Sequence, residues 1–267
     1  MSSPPTSSVR LRSIALPVEH GGWGLLATPI LLGLGVAPSA SGAWLALAAI
    51  GAFLTRQPLR LALGDWRRGK WYPRTAWAWR LVLAFAALAL AGAGLAWFTT
   101  THAFWLPLAV AVPLAIVQFA CDLRGDGRAL VAEVSGATSL GSLAAAMTMA
   151  AGWPLAPSAV LWALLSGQAV GAILYVSARL RLARGTPARR APAWLAHAAA
   201  LVLSVALAAT GHAPWLAGVA FLVLTARAVV GLWPPHEGTR TTVVGFQEVG
   251  ASLLLVACLA FGYHLDW

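Results

Sequence analysis

Runs of about 20 apolar residues, separated by short polar or proline- and glycine-bearing breaks, recur along almost the whole chain. Each run is long enough to cross a hydrocarbon core of about 30 Å. Nine spans are read, over 20–36, 42–61, 77–97, 104–121, 132–151, 158–178, 192–210, 214–232 and 246–265. They predict an all-α membrane protein. The breaks are clear around the third to fifth spans and the last three, whereas the first span is short and the second blends into "TRQPLRLALGDW". Residues 1–15 read as a cytoplasmic N-terminal tail and 16–267 as a single multi-pass transmembrane domain. The tail lacks an apolar h-region, so no cleavable signal peptide is expected.

Composition agrees with this pattern. The 267 residues are 60% hydrophobic and only 10% charged, where a soluble domain carries about 25% charged residues. Charge then orients the spans. All 18 basic residues fall before span one, around the connection between spans two and three, after spans four and six, or from the end of span eight onward. The intervening loops "APSASG", "FTTTHAF", "GWPLAPS" and "TGHAPW" have none. The positive-inside rule therefore predicts a cytoplasmic N-terminus and, after an odd number of spans, a C-terminus outside. The net charge of +10 reflects topology and attraction to anionic headgroups, not nucleic acid. Cys121 and Cys258 are predicted at different depths, which disfavours a disulfide. Gly167 and Gly171 form a GxxxG in span six, a signature of close helix packing.

Polar side chains at membrane depth are costly and normally face a cavity or a partner. Those that qualify are Glu19 and His20 at the start of span one, Arg56 and Arg60 at the end of span two, and Gln118 and Asp122 at the end of span four. Arg128 and Glu133 flank the start of span five. Gln168, Tyr175 and Arg179 in span six are spaced by seven and four residues, which places them on one helical face. His197 lies in span seven, Arg227 about two turns short of the end of span eight, and Gln247 and Glu248 open span nine. Nearly all fall in the predicted cytoplasmic half, which suggests one inward-facing polar pocket walled by several helices. His102 and His212 read as interfacial. Arg56, Arg60 and Arg179 also admit a plainer explanation, snorkelling to headgroups. Arg227 is close to the limit of that reach.

Arginines outnumber the nearby acids, and guanidinium is the preferred partner of phosphate and carboxylate. The pocket is therefore expected to take a lipidic or phosphorylated anionic ligand. No P-loop, HExxH, GxSxG or CxxC signature is present. Asp122 and Asp126 in "DLRGDGR" could offer two carboxylates to Mg²⁺, although a short polar loop explains them equally.

The segment "LPVEHGGWGLLATPILLG" at 16–33 resembles the opening of the YwiC-like family of bacterial integral membrane proteins, through His20, Gly21, Trp23, Pro29 and Gly33. Further resemblance runs through "RALVAEVSGA" (Arg128, Glu133), "GAILYVSARL" (Tyr175, Arg179), "WLAH" (His197), "TARAV" (Arg227) and "VVGFQEVGAS" (Glu248). It implies a bacterial cytoplasmic (inner) membrane protein and brings no reaction with it. Within the motif, His20 is the family's residue, while Glu19 stands where other side chains occur. In architecture, nine helices with long cytoplasmic connections after the second and sixth are similar to the UbiA superfamily of intramembrane prenyltransferases, which hold a prenyl diphosphate through Mg²⁺ on Asp-rich motifs. The corresponding segments here carry one Asp and none.

The leading expectation is thus a UbiA-like intramembrane transferase. His20 would be its acid/base, with Arg128, Tyr175, Arg179, His197 and Arg227 as anion-binding groups and Glu133 and Glu248 orienting them. A small-anion transporter and a non-catalytic accessory protein are the alternatives.

Overall fold

The computed structural model describes residues 11–16, 20–233 and 238–265, with His20 described by its backbone alone. Glu19 lies outside the described residues, as does the His20 side chain. The elements are a short α1 (Leu11–Ala15), then α2 (His20–Val36), α3 (Ala40–Arg67), α4 (Pro73–Thr99), α5 (Trp105–Arg124) and α6 (Leu130–Ala150). α7 (Leu155–Ala183), α8 (Ala191–Ala209), α9 (Trp215–Gly231) and α10 (Thr241–Leu265) complete them.

The nine helices α2–α10 fall on the nine expected segments. Six of them, α4 to α8 and α10, are long and apolar enough to cross a membrane, and α2 and α9 are shorter apolar helices. α3 runs for 28 residues but carries Arg56, Gln57, Arg60, Asp65 and Arg67 in its second half. The chain is a multi-pass membrane protein. Large apolar side chains on the outer helices are bare in the isolated fold, Leu83, Leu90 and Phe98 on α4 among them, a surface that only lipid would cover. Pro29, Pro58 and Pro113 sit inside helices, which membrane helices tolerate when neighbouring groups re-satisfy the freed carbonyls.

Helix ends follow local chemistry. The Ser39 hydroxyl accepts from the Gly42 N–H at 3.0 Å to open α3, Pro73 opens α4 where its missing N–H costs nothing, and Gly125 closes α5 at φ 89°.

Six helices close a ring, in the order α2, α6, α7, α8, α9, α10 and back to α2. Their inward faces meet in a core that includes Leu32, Leu161, Leu164, Phe221, Leu255 and Leu259. Within α6, 61% of the apolar stretch is buried, against 17% in α4 and in α5. α6 is therefore the hub on which the outer α5 and the α3–α4 pair lean. Part of the segment read as the N-terminal tail packs on the bundle: Ile14 of α1 lies with Ala62 and Ala78 on α3 and α4.

The polar end of the α3–α4 pair is built on Asp65. Its carboxylate accepts from Arg74 (Nη2 to Oδ1, 2.9 Å) and from the Thr75 hydroxyl (2.8 Å). The bond from Arg74 holds the Asp65 carboxyl below the ordinary carboxylate range, against the opposing effect of burial and with help from Thr75. A depressed folded-state value stabilises the fold above the unfolded value of about 3.9, and the contribution is lost as pH falls through the folded value. Thermal melts of wild type and Asp65→Asn are expected to differ by a steady amount above about pH 5 and to converge as pH falls from about 4 through the depressed folded value. A gap that persists through that fall in pH would show that the carboxylate's charge does not stabilise this corner.

Candidate functional site

The four consecutive helices α7–α10 bring five of the expected residues to one level, near the end of the ring that carries the basic loops. Gln168, Tyr175 and Arg179 all turn inward on α7, as their spacing predicts, and all three are buried. Two glycines make room for the neighbouring rings. A side chain at Gly171 would press on the His197 imidazole at about 3.0 Å, and the Tyr175 hydroxyl lies directly against Gly231. The GxxxG expectation is thus met in a specific way: Gly167 admits Ala200 and Gly171 admits His197 of α8.

Arg227 does not snorkel. Its Cζ lies 4.5 Å over the Tyr175 ring, Nη2 donates to Glu248 Oε1 at 2.7 Å, and Nη1 donates to the Gln247 carbonyl at 3.3 Å. The Tyr175 ring in turn meets His197 edge-on, centroids 6.4 Å apart. His197 Nδ1 lies 2.8 Å from the Ala193 carbonyl. A carbonyl can only accept, so Nδ1 carries the hydrogen and Nε2 is the acceptor, a tautomer assigned from this bond.

Arg179 differs from the rest. It is 6% exposed, and Nη2 donates to the Thr239 hydroxyl at 3.4 Å. Nε and Nη1 are buried and have no hydrogen-bond partner, as are Arg227 Nε and Glu248 Oε2. Arg227 is neutralised by Glu248, whereas Arg179 has no carboxylate partner among the described residues. A buried guanidinium with unmet N–H groups is a high-energy arrangement for an empty site and an apt one for an oxyanion.

The remaining expected residues lie elsewhere. Arg128 is exposed on the turn between α5 and α6, and Glu133 sits half-buried in the first turn of α6, where a carboxylate complements the helix N-terminus. Neither belongs to the α7–α10 cluster. Among the described residues, the polar residues expected to share one inward pocket fall into the α7–α10 group and a separate group on α3 and α5.

One of these was not foreseen as a pair. Arg56 on α3 makes a two-pronged ion pair with Asp122 on α5, Nε to Oδ2 at 2.6 Å and Nη2 to Oδ1 at 2.8 Å. With its amide turned so that oxygen faces the guanidinium, Gln118 accepts from Arg56 at 3.1 Å. The available signal was two opposite charges at similar predicted depth. Both Asp122 oxygens are engaged, so Asp122 and Asp126 do not form a ready carboxylate pair for Mg²⁺. No group of three or more His, Cys, Asp or Glu suited to a metal occurs among the described residues.

The family model described as YwiC-like protein matches residues 16–148, which run to the end of α6 and include Arg56, Asp122, Arg128 and Glu133. No curated protein and no solved structure matches the chain. On that match, which begins at the segment carrying His20, Gly21 and Trp23, the chain belongs to the YwiC-like family.

Proposed function

We propose that the α7–α10 cluster binds an anionic ligand, lipidic or phosphorylated, and that the protein acts on it as an intramembrane transferase of UbiA-like architecture. In this reading all nine of α2–α10 cross a bacterial inner membrane, with the N-terminus and the basic loops in the cytoplasm, and the ligand enters from that side. The observation that carries the proposal is Arg179, nine-tenths buried with two N–H groups unmatched. Tyr175, His197, Arg227 and Glu248 wall the site, and His20 at the start of α2 supplies the acid/base. Arginine takes the anion directly, in place of carboxylate-bound Mg²⁺. A route across the bundle is opposed by the ring interior beyond the cluster, which is filled by Leu32, Leu161, Phe221 and Leu255. That favours an enzyme over a transporter.

The test is Arg179→Met, examined for ligand and for stability together. A charge-assisted bond to an anion contributes about 1.5–3 kcal/mol, so retention of a co-purified anionic ligand in native mass spectrometry should fall roughly 10- to 100-fold. Removing an uncompensated buried charge should raise the melting temperature of the ligand-free protein, a gain of about 1–2 kcal/mol. Equal bulk phospholipid in both proteins, with a lower melting temperature for the variant, would sink the proposal and favour an accessory role.

A further inference from the structure

A cleft of about 240 Å³ opens between α3 and α5. These helices touch at few points; α3 leans on α4, and α5 on α6. Each wall is one helical stripe with the spacing i, i+3, i+4, i+7: Ala52, Thr55, Arg56 and Leu59 on α3, and Ala115, Gln118, Phe119 and Asp122 on α5. The small residues Ala52 and Ala115 are both exposed; larger side chains there would close the gap.

The cleft has a polarity gradient. Its deeper part is Ala52 and Ala115, with Thr55 and Phe119 beside the polar end and Leu59 one turn beyond Arg56. Its end toward the basic side is the Arg56–Asp122 pair with Gln118. That end is polar but charge-compensated, because Asp122 is only 1% exposed and wholly engaged with the guanidinium. It suits an uncharged polar group better than a bare anion. Apolar depth, then a neutral polar belt, then a basic surface is also the order met along a lipid of the adjacent leaflet: acyl chain, glycerol esters, phosphate.

We propose that the α3–α5 cleft is a binding site for one glycerophospholipid of the leaflet on the basic side. One acyl chain lies between Ala52 and Ala115 and against Phe119, and the ester region lies at Arg56. The site is distinct from the α7–α10 cluster, and neither proposal depends on the other. Lipid in this position extends a contact that the two helices make at few points, the Arg56–Asp122 pair among them, and adds to the tie between the α3–α4 pair and α5.

The experiment uses the full chain in phosphatidylcholine vesicles containing a few per cent of phosphatidylcholine with a photoreactive diazirine on one acyl chain. Cross-links are mapped by peptide mass spectrometry. The reference is the lipid-facing side of α4, where Leu83 and Leu90 are 69% and 73% exposed. Labelling over residues 52–59 and 115–119 is expected to exceed that of α4 by roughly fivefold, a preference of about 1 kcal/mol over annular lipid. Ala115→Trp fills the cleft from an exposed position and should bring the labelling down to the α4 level without lowering the melting temperature. Ala52→Leu is the second, smaller filler and should act in the same direction. Labelling equal to α4 in wild type, or enhanced labelling that survives both fillers, would overturn the site.

Discussion

Gly51→Val is expected to destabilise the protein by about 3 kcal/mol, the top of the usual range for overpacking a tight contact. The reason is a backbone-to-backbone approach of α3 and α4. A Cβ at Gly51 would lie 2.6 Å from the Ala89 nitrogen and 2.8 Å from the Phe85 carbonyl oxygen. The contact is reciprocal, since a Cβ at Gly92 would lie 2.6 Å from the Ala48 nitrogen and 2.8 Å from the Trp44 oxygen. No flexible side chain stands in the way to move aside, so the helices themselves must part. Small residues in this role allow membrane helices to gain dispersion contacts without a hydrophobic driving force between them. Gly92→Val should cost about as much as Gly51→Val. Gly94→Val, two positions on and with nothing within 4 Å of its added Cβ, should change stability by less than about 0.5 kcal/mol. Thermal melts of the three variants in one detergent check this; a Gly94 variant as unstable as the other two would show that valine itself, not the close approach, is the cause.

The Arg56–Asp122 pair should respond asymmetrically to loss of its partners. Arg56→Met leaves a carboxylate with 1% of its side chain exposed and no cation to face. Breaking a buried pair from that side costs about 3–5 kcal/mol, and screening of the 27%-exposed arginine places the expected cost at the lower end, about 3 kcal/mol. Asp122→Leu leaves the longer partner, whose side chain is already partly exposed, so about 1–2 kcal/mol is expected. The double variant should recover most of the loss, because an apolar pair demands no solvation. A double-mutant cycle measured by denaturation checks all three values. Additive single costs of equal size would mean that the two side chains act independently.

The helices were legible because their signal is local. Apolar runs of membrane-spanning length were enough to place all nine of α2–α10, and the seven-and-four spacing of Gln168, Tyr175 and Arg179 was enough to put them on one inward face. Arg227 was also legible, since its distance from the polar loop left it too deep to reach water without cost. What was not legible is which polar residues meet. Arg56 and Asp122 lie 66 positions apart, and nothing in the period of either helix says that α3 faces α5. The same blindness merged two groups into one expected pocket and drew Arg128 into it, although Arg128 lies exposed on a turn. His20, the motif residue, begins α2 where expected, and its side chain lies outside the described residues.

By itself, the sequence determined the membrane class, the helical segments, the clustering of basic residues in particular connections and the family. All of these follow from apolar length, charge distribution and motif, which are properties of contiguous residues. The tertiary structure alone decided that Arg179 is the buried arginine left without a carboxylate partner among the described residues while Arg56 and Arg227 are neutralised, and that Gly51 and Gly92 among 26 glycines set the approach of two helices. The reason is physical. Burial gives an arginine or a glycine its energetic meaning only through the neighbour brought against it, and in a membrane that neighbour is chosen by helix packing rather than by hydropathy.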